Sequence, residues 1–132
     1  MSPLVSTADF PHFKRTLQAR QSALRVTIHE ALLRSDQEQY VQIAGQVHDV
    51  EDEALADLLV DVNLAEVTRE IQELRDIDAA LRRIVMGTYG VCLRCRQAID
   101  KERLDAYPTA KRCVTCQRHE EHGPTASPPP SL

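Results

Sequence analysis

An all-α fold is predicted, a long antiparallel coiled-coil helical hairpin that carries a small cysteine-rich head with a short C-terminal helix. Three observations predict it. Apolar residues recur every seven positions in two separate stretches, the seam pattern of paired helices. The 132 residues contain no Trp, two Phe and three Tyr, too few large aromatics for a deep globular core. All four cysteines fall in two matched pairs beyond the second stretch, Cys92 and Cys95, then Cys113 and Cys116.

Residues 1–8 form a short polar segment expected to fray. One helix is predicted from Asp9 to about Gly45, with Asp9 as cap and Pro11 in the first turn, where its missing N–H costs nothing. Its seam is Phe10, Leu17, Leu24 and Ala31, with Phe13 and Ile28 beside it. A second helix is predicted from about Val50 to Met86. Val60, Val67, Leu74 and Leu81 form its seam, and Leu64, Ile71 and Val85 the adjacent row. Asp78 interrupts that row and is assigned a partly exposed site with a cationic neighbour across the hairpin. Two helices joined by a short connection lie antiparallel. With roughly 35 residues each at ~1.5 Å rise, residues 9–86 would make an arm about 50 Å long. Gly87 is placed to end the second helix. The head then spans 87–122, with a closing helix from about Lys111 to His122. Residues 123–132, rich in proline, read as a disordered tail.

Two residues separate the thiols within each cysteine pair, so one tight turn can aim both sulfurs at one ion. Residues 96–112 are enough to bring the second pair back. Doubled pairs at this spacing are the pattern of a structural four-cysteine zinc site, with Zn(2+) as its single ion. Disulfides are disfavoured because no apolar leader opens the chain, and cytosolic thiols stay reduced. A redox pair is disfavoured because no strand–helix–strand unit surrounds the cysteines. A closed thiolate shell leaves no open position for a substrate, so the site is read as a staple and the chain as a non-enzyme. Arg96 follows the second cysteine, where the turn favours positive φ, and is expected to carry a modest strain.

The net charge of −4 argues against bulk nucleic acid as the main partner. No apolar run approaches the ~20 residues of a membrane span. From Ser35 to Thr68 there is no Lys or Arg, while Asp36, Glu38, Asp49, Glu51, Asp52, Glu53, Asp57, Asp61 and Glu66 are acidic. The apex of the arm is expected at 45–55. There Asp49 can cap the second helix with Asp52 three residues on, an arrangement that by itself accounts for those residue types. An exposed apex offers no enclosure to shift a pKa, so the two carboxylates are not read as an acid–base pair.

The pattern Gly87-x-Tyr89-Gly90-x-Cys92-x-x-Cys95, followed by Ile99, Arg103, Leu104, Ala106, Pro108, Ala110, Cys113 and Cys116, resembles the DksA/TraR zinc-finger family over about residues 9–122. Counting back from Cys92 without a gap, Asp49-x-x-Asp52-x-Ala54 falls where that family carries its tip motif. The resemblance implies a bacterial, cytoplasmic transcription factor. Such a factor binds RNA polymerase rather than DNA and passes its arm into the secondary channel, with Asp49, Asp52 and Ala54 facing the active centre. Arg103 and Lys111 would dock on polymerase. Arg69 keeps a basic position that the family uses for guanosine tetraphosphate, whereas Asp76 and Gln117 lose two others, so the resemblance implies a weak response or none. Val50 and Arg96 depart from the family's proline and glycine. A seam satisfied within one hairpin implies a monomer. Two rival functions are kept. One is a zinc-headed coiled-coil adaptor for a different protein. The other is a DNA-binding zinc ribbon, against which Asp100, Glu102, Asp105, Glu120 and Glu121 are interleaved among the basic residues of the head.

Overall fold

The two heptad seams pair, but over fewer turns than they occupy in the sequence. A computed structural model describes residues 4–122. A 3-10 turn at Thr7–Asp9 leads into α1 (Phe10–Leu33), α2 (Glu38–Ala44), α3 (Asp52–Leu58), α4 (Ala65–Met86), α5 (Lys101–Ala106) and α6 (Val114–Glu121). The all-α prediction holds, and α1 and α4 are the antiparallel pair. Their 24 and 22 residues correspond to about 36 and 33 Å of helix. Leu17, Leu24, Ile28, Val67, Leu74 and Ile77 are buried between them. Two cross-helix ion pairs mark the register. Arg34 meets Glu66 at 3.2 Å. Arg20 donates twice to Glu73, at 2.6 and 2.8 Å. Both pairs are largely exposed, so apolar burial rather than charge supplies most of the stability.

A single helix over 9–45 and another over 50–86 were expected, and both are interrupted. After Leu33 the chain turns at 34–37, where the Ser35 hydroxyl accepts the Gln37 N–H at 3.1 Å. Such a side-chain bond offers the backbone an alternative to the helical ladder. Helix α2 then runs back along α1. The His29 Nδ1 lies 2.8 Å from the Ala44 carbonyl oxygen. Arg25 donates to the Val47 carbonyl at 2.5 Å and to Asp52 Oδ1 at 2.6 Å. Helix α3 packs on α4, and the chain between them, 59–64, is irregular. Folding back buries Tyr40, Ala44, Val47, Leu55, Leu59 and Val62, which a bare two-helix prong would leave half wet. The Tyr40 hydroxyl accepts the Asn63 N–H at 3.0 Å and closes the far end.

The distal end of the arm is therefore formed by 34–37 and 59–64, and residues 45–55 lie beside the middle of α1. The α3 N-cap is Glu51, and it makes no side-chain cap bond. Asp49 is thus not the cap that the sequence suggested. Val60, assigned to the seam, and Val85, assigned to the adjacent row, are 61% and 84% exposed. The break at 59–64 puts Val60 outside the paired helices. Asp78 is partly buried as expected, but its cationic partner is Arg82, one turn along the same helix rather than across the hairpin.

Residues 4–8 were expected to fray, yet Leu4 bridges to Asp100 and Val5 packs on the core. Asp9 stands at the α1 N-cap position without making the cap bond. Its carboxylate instead accepts the Ser6 N–H at 2.9 Å and Lys101 Nζ at 3.2 Å, and these hold its pKa below the ordinary value. The tail at 123–132, read as disordered, lies outside the described residues. No described helix is long and apolar enough to cross a membrane.

Glu70 is the misfit of the α1–α4 face. Its Oε1 is buried with no hydrogen-bond partner. Burial, and after it the nearby Glu66, raise its pKa. The charged form thus costs more in the folded than in the unfolded state above that raised value. Glu70→Gln is expected to raise the melting temperature at pH 7. The gain should disappear by pH values low enough to protonate Glu70 in both states, a difference that thermal unfolding at the two pH values will read.

Candidate metal centre

The head begins where α4 stops. Gly87 takes φ 78, and its N–H and that of Thr88 turn back to the Arg83 and Ile84 carbonyls. A left-handed residue at this position ends a helix with its last carbonyls satisfied. Tyr89 follows and wedges between arm and head. Its ring lies 5.8 Å from Phe10, edge to face, and 5.3 Å from Phe13. Its hydroxyl donates to the Pro108 carbonyl at 2.7 Å, and burial pushes its pKa well up. Gly90 takes φ 86, and an added Cβ there would lie 3.3 Å from Val5 and 3.6 Å from Leu104. Gly90→Ala is expected to cost about 1–2 kcal/mol, the left-handed penalty for an L residue, measurable as a lower urea midpoint with zinc bound.

The first knuckle is a tight ribbon. Val91 bridges to Ala98, Cys92 N–H donates to the Gln97 carbonyl at 2.8 Å, and Arg96 N–H to the Cys92 carbonyl at 3.0 Å. Arg96 takes φ 65, the only described non-glycine residue with positive φ. The strain expected of an arginine at that position is present. One bond docks the second knuckle onto the first and another docks it onto α5. Leu93 N–H donates to the Lys111 carbonyl at 2.9 Å, and Arg103 Nε to the Arg112 carbonyl at 3.0 Å. Cys113 is the N-cap of α6, and Cys116 lies in its first turn.

This framework brings the four thiols together. The sulfurs of Cys92, Cys95, Cys113 and Cys116 all lie within 4.8 Å of one another. Backbone N–H groups point at two of them, Cys95 N–H at Cys92 Sγ (3.5 Å) and Cys116 N–H at Cys113 Sγ (3.4 Å). Cys95 and Cys113 sulfurs are 3.9 Å apart, far beyond a disulfide bond. Four thiolates about 2.3 Å from a tetrahedral Zn(2+) would be about 3.8 Å from each other, so the cluster fits one zinc ion. Its electrostatics fit too. Burial pushes the Cys92 thiol up, but N–H groups of Cys95, Cys113 and Arg94 outweigh it and bring it down to about 6. Burial, and then the neighbouring thiols, push Cys116 up to about 12. One thiol ionises easily and another is held protonated by its neighbours, a conflict that a divalent cation relieves. His119 and His122 are not part of the cluster.

The structure keeps the other sequence-predicted residues apart from this centre. Asp49, Asp52 and Ala54 are exposed on the folded-back segment, and Asp52 is engaged by Arg25. Arg69 is exposed on α4, 17 residues before Met86, about 25 Å along the helix. Arg103 and Lys111 are partly buried. Arg103 stacks over the Tyr107 ring at 5.9 Å as well as binding Arg112, so it holds the head together whatever else it meets. Asp76 accepts from Gln72, and Gln117 donates to Glu121. Sequence reasoning missed Tyr89 as the joint between arm and head and Arg25 as the anchor of the folded-back segment. A tyrosine two residues past a helix-ending glycine was a usable signal for the first.

Residues 87–122 match the prokaryotic dksA/traR C4-type zinc finger. The chain is 27% identical over 113 residues to the RNA polymerase-binding transcription factor DksA of Salmonella typhimurium, covering 86% of this chain and 72% of that one. The head, residues 87–122, is thus a zinc finger of the dksA/traR C4 type. An uncharacterized protein of Aquifex aeolicus is 46% identical over 59 residues, 45% of this chain, and the match spans only 39% of that protein's length. Among solved structures, transcription factor DksA2 from Pseudomonas aeruginosa is similar with a TM-score of 0.58 at 26% identity, covering 86% of this chain and 84% of that one. The DksA/TraR zinc finger accounts for the head, and the longer matches extend over the hairpin.

Proposed function

We propose that this chain is a DksA-like transcription regulator that binds RNA polymerase directly, in the cytoplasm and as a monomer. The observation that carries this is the similarity to DksA across 86% of the chain, which takes in the arm as well as the zinc finger. The relatives that match over 86% of the chain are named as RNA polymerase-binding transcription factors, and no residue here is assigned a catalytic role. In this proposal the zinc head is the rigid base, Arg103 and Lys111 dock on an acidic rim of polymerase, and the arm enters the secondary channel. Asp49, Asp52 and Ala54 then act near the active centre, where an acidic segment suits bound magnesium and cationic side chains.

The response to guanosine tetraphosphate is proposed to be weak or absent. Arg69 offers one cation to such a ligand, but Asp76 repels it and Gln117 adds no charge. The test is transcription from a promoter sensitive to such factors, with the Asp49→Asn/Asp52→Asn double variant beside the wild type. The variant is expected to keep polymerase binding within about twofold, since exposed single charges contribute little, and to lose the effect on transcript yield. Equal activity of the two proteins would refute the role of Asp49 and Asp52. A marked change on adding the nucleotide would refute the proposed insensitivity.

A further inference from the structure

We propose that α2, α3 and the acidic loop between them are a latch that stores Asp49 and Asp52 against the arm, and that its release lengthens the arm. This rests on the polymerase-binding function proposed above and concerns how the same acidic segment is presented. In the folded-back state Ala44 meets His29 and Val47 meets Arg25. In an unbroken helix Ala44 would stand fifteen residues, about 22 Å, beyond His29. The closed state is held at its tip by one cation. Arg25, its side chain only 11% exposed, reaches both Val47 and Asp52, and it makes the only ion pair to the segment among the described residues.

Tyr40, Ala44, Val47, Leu55, Leu59 and Val62 are buried in the closed state, but its contact with the end of α4 is poorly matched. Asp52 and Glu53 share a cleft of about 360 Å³ with Asp78, Leu81, Arg82, Val85 and Met86. Three carboxylates thus line a cleft whose one cation, Arg82, is already taken by Asp78. Its apolar members Val85 and Met86 remain 84% and 73% exposed. The interruptions, meanwhile, contain no proline or glycine. They read Arg34-Ser35-Asp36-Gln37 and Leu59-Val60-Asp61-Val62-Asn63-Leu64. The seven-residue repeat Val60, Val67, Leu74, Leu81 runs through the second of them in register, so α3 and α4 can fuse into one helix that returns Val60 to the seam.

The test uses the full-length zinc-loaded protein with nitroxide labels on p-acetylphenylalanine at Glu53 and Val85, a chemistry that spares the cysteines. In the latched state the two labels face one cleft and give a short distance by pulsed electron resonance. In a continuous helix they are 32 residues apart, about 48 Å. Arg25→Gln removes the anchor. Asp61→Ala/Asn63→Ala instead raises helix propensity at the second interruption and leaves Arg25 in place. Both are expected to shift population to the long distance while zinc content stays at one ion per chain. Bound core RNA polymerase is expected to do the same to the wild type. A distance that stays short in the polymerase complex, or in both variants, overturns the latch. If polymerase does not bind at all, the functional proposal falls and the variants alone decide the latch.

Discussion

Cys92→Ser is expected to unfold the head and leave the arm. Residues 87–122 bury few apolar side chains, chiefly Tyr89, Ile99 and Leu104 beside two of the thiols. Helices α5 and α6 have six and eight residues, too short to persist without tertiary support. A unit of this size ordinarily needs a metal or disulfides, and structural zinc supplies about 10–16 kcal/mol of apparent binding energy in comparable small sites. With a hydroxyl in place of the Cys92 thiolate, native mass spectrometry should show zinc falling well below one per chain. Hydrogen exchange at Cys92, Leu93 and Ile99, whose N–H groups are held inside the head, should become fast, while Leu24 and Leu74 stay protected. The same chemistry fixes a pH dependence. Zinc binds thiolates, so protons compete with it. In the metal-free cluster Cys116 holds its proton up to about 12, so zinc affinity is expected to rise with pH and the ion to be released on acidification.

Phe13→Ala is expected to cost about 3–5 kcal/mol, the range for truncating a buried aromatic. Phe13 is 1% exposed and lies between the α1 seam and Tyr89, so the cavity would open at the joint between arm and head. Leu24→Ala, equally buried but in mid-arm, is the comparison, at about 2–5 kcal/mol. Urea unfolding with zinc in excess measures both losses. The two should differ in place: only Phe13→Ala is expected to change the environment of Tyr89, visible as an altered tyrosine signal in the near-ultraviolet spectrum.

The metal cluster of the head was legible in the sequence, but α5 was not, and the closing helix begins at Val114 rather than near Lys111. Doubled cysteine pairs, Gly87 past the last helical turn, and an arginine forced to positive φ are local features, and local features survive folding. Most of the seams were legible as well, since Leu17, Leu24, Val67 and Leu74 are buried where the repeat puts them. The length of the helices was not. A heptad repeat says which face is apolar, but not whether the helix continues when a nearby strip can be covered by folding back. Ser35 and Asp36 favour local hydrogen bonds over helix, and Val60, Asp61, Val62 and Asn63 are a run of weak helix formers. These carried the signal for both interruptions, and the repeat running through them masked it. The acidic segment was placed at the apex by counting residues, whereas its position in space follows from Arg25, a single long-range contact that no periodicity reports.

The central claim is that a zinc-stapled head holds a helical arm for use inside RNA polymerase. Its most direct test is binding of the zinc-loaded chain to purified core polymerase, followed by titration with an excess of another protein that occupies the secondary channel. A one-to-one complex from which the competitor displaces the chain is the predicted result. Failure to bind, or a complex that the competitor leaves intact, would contradict it.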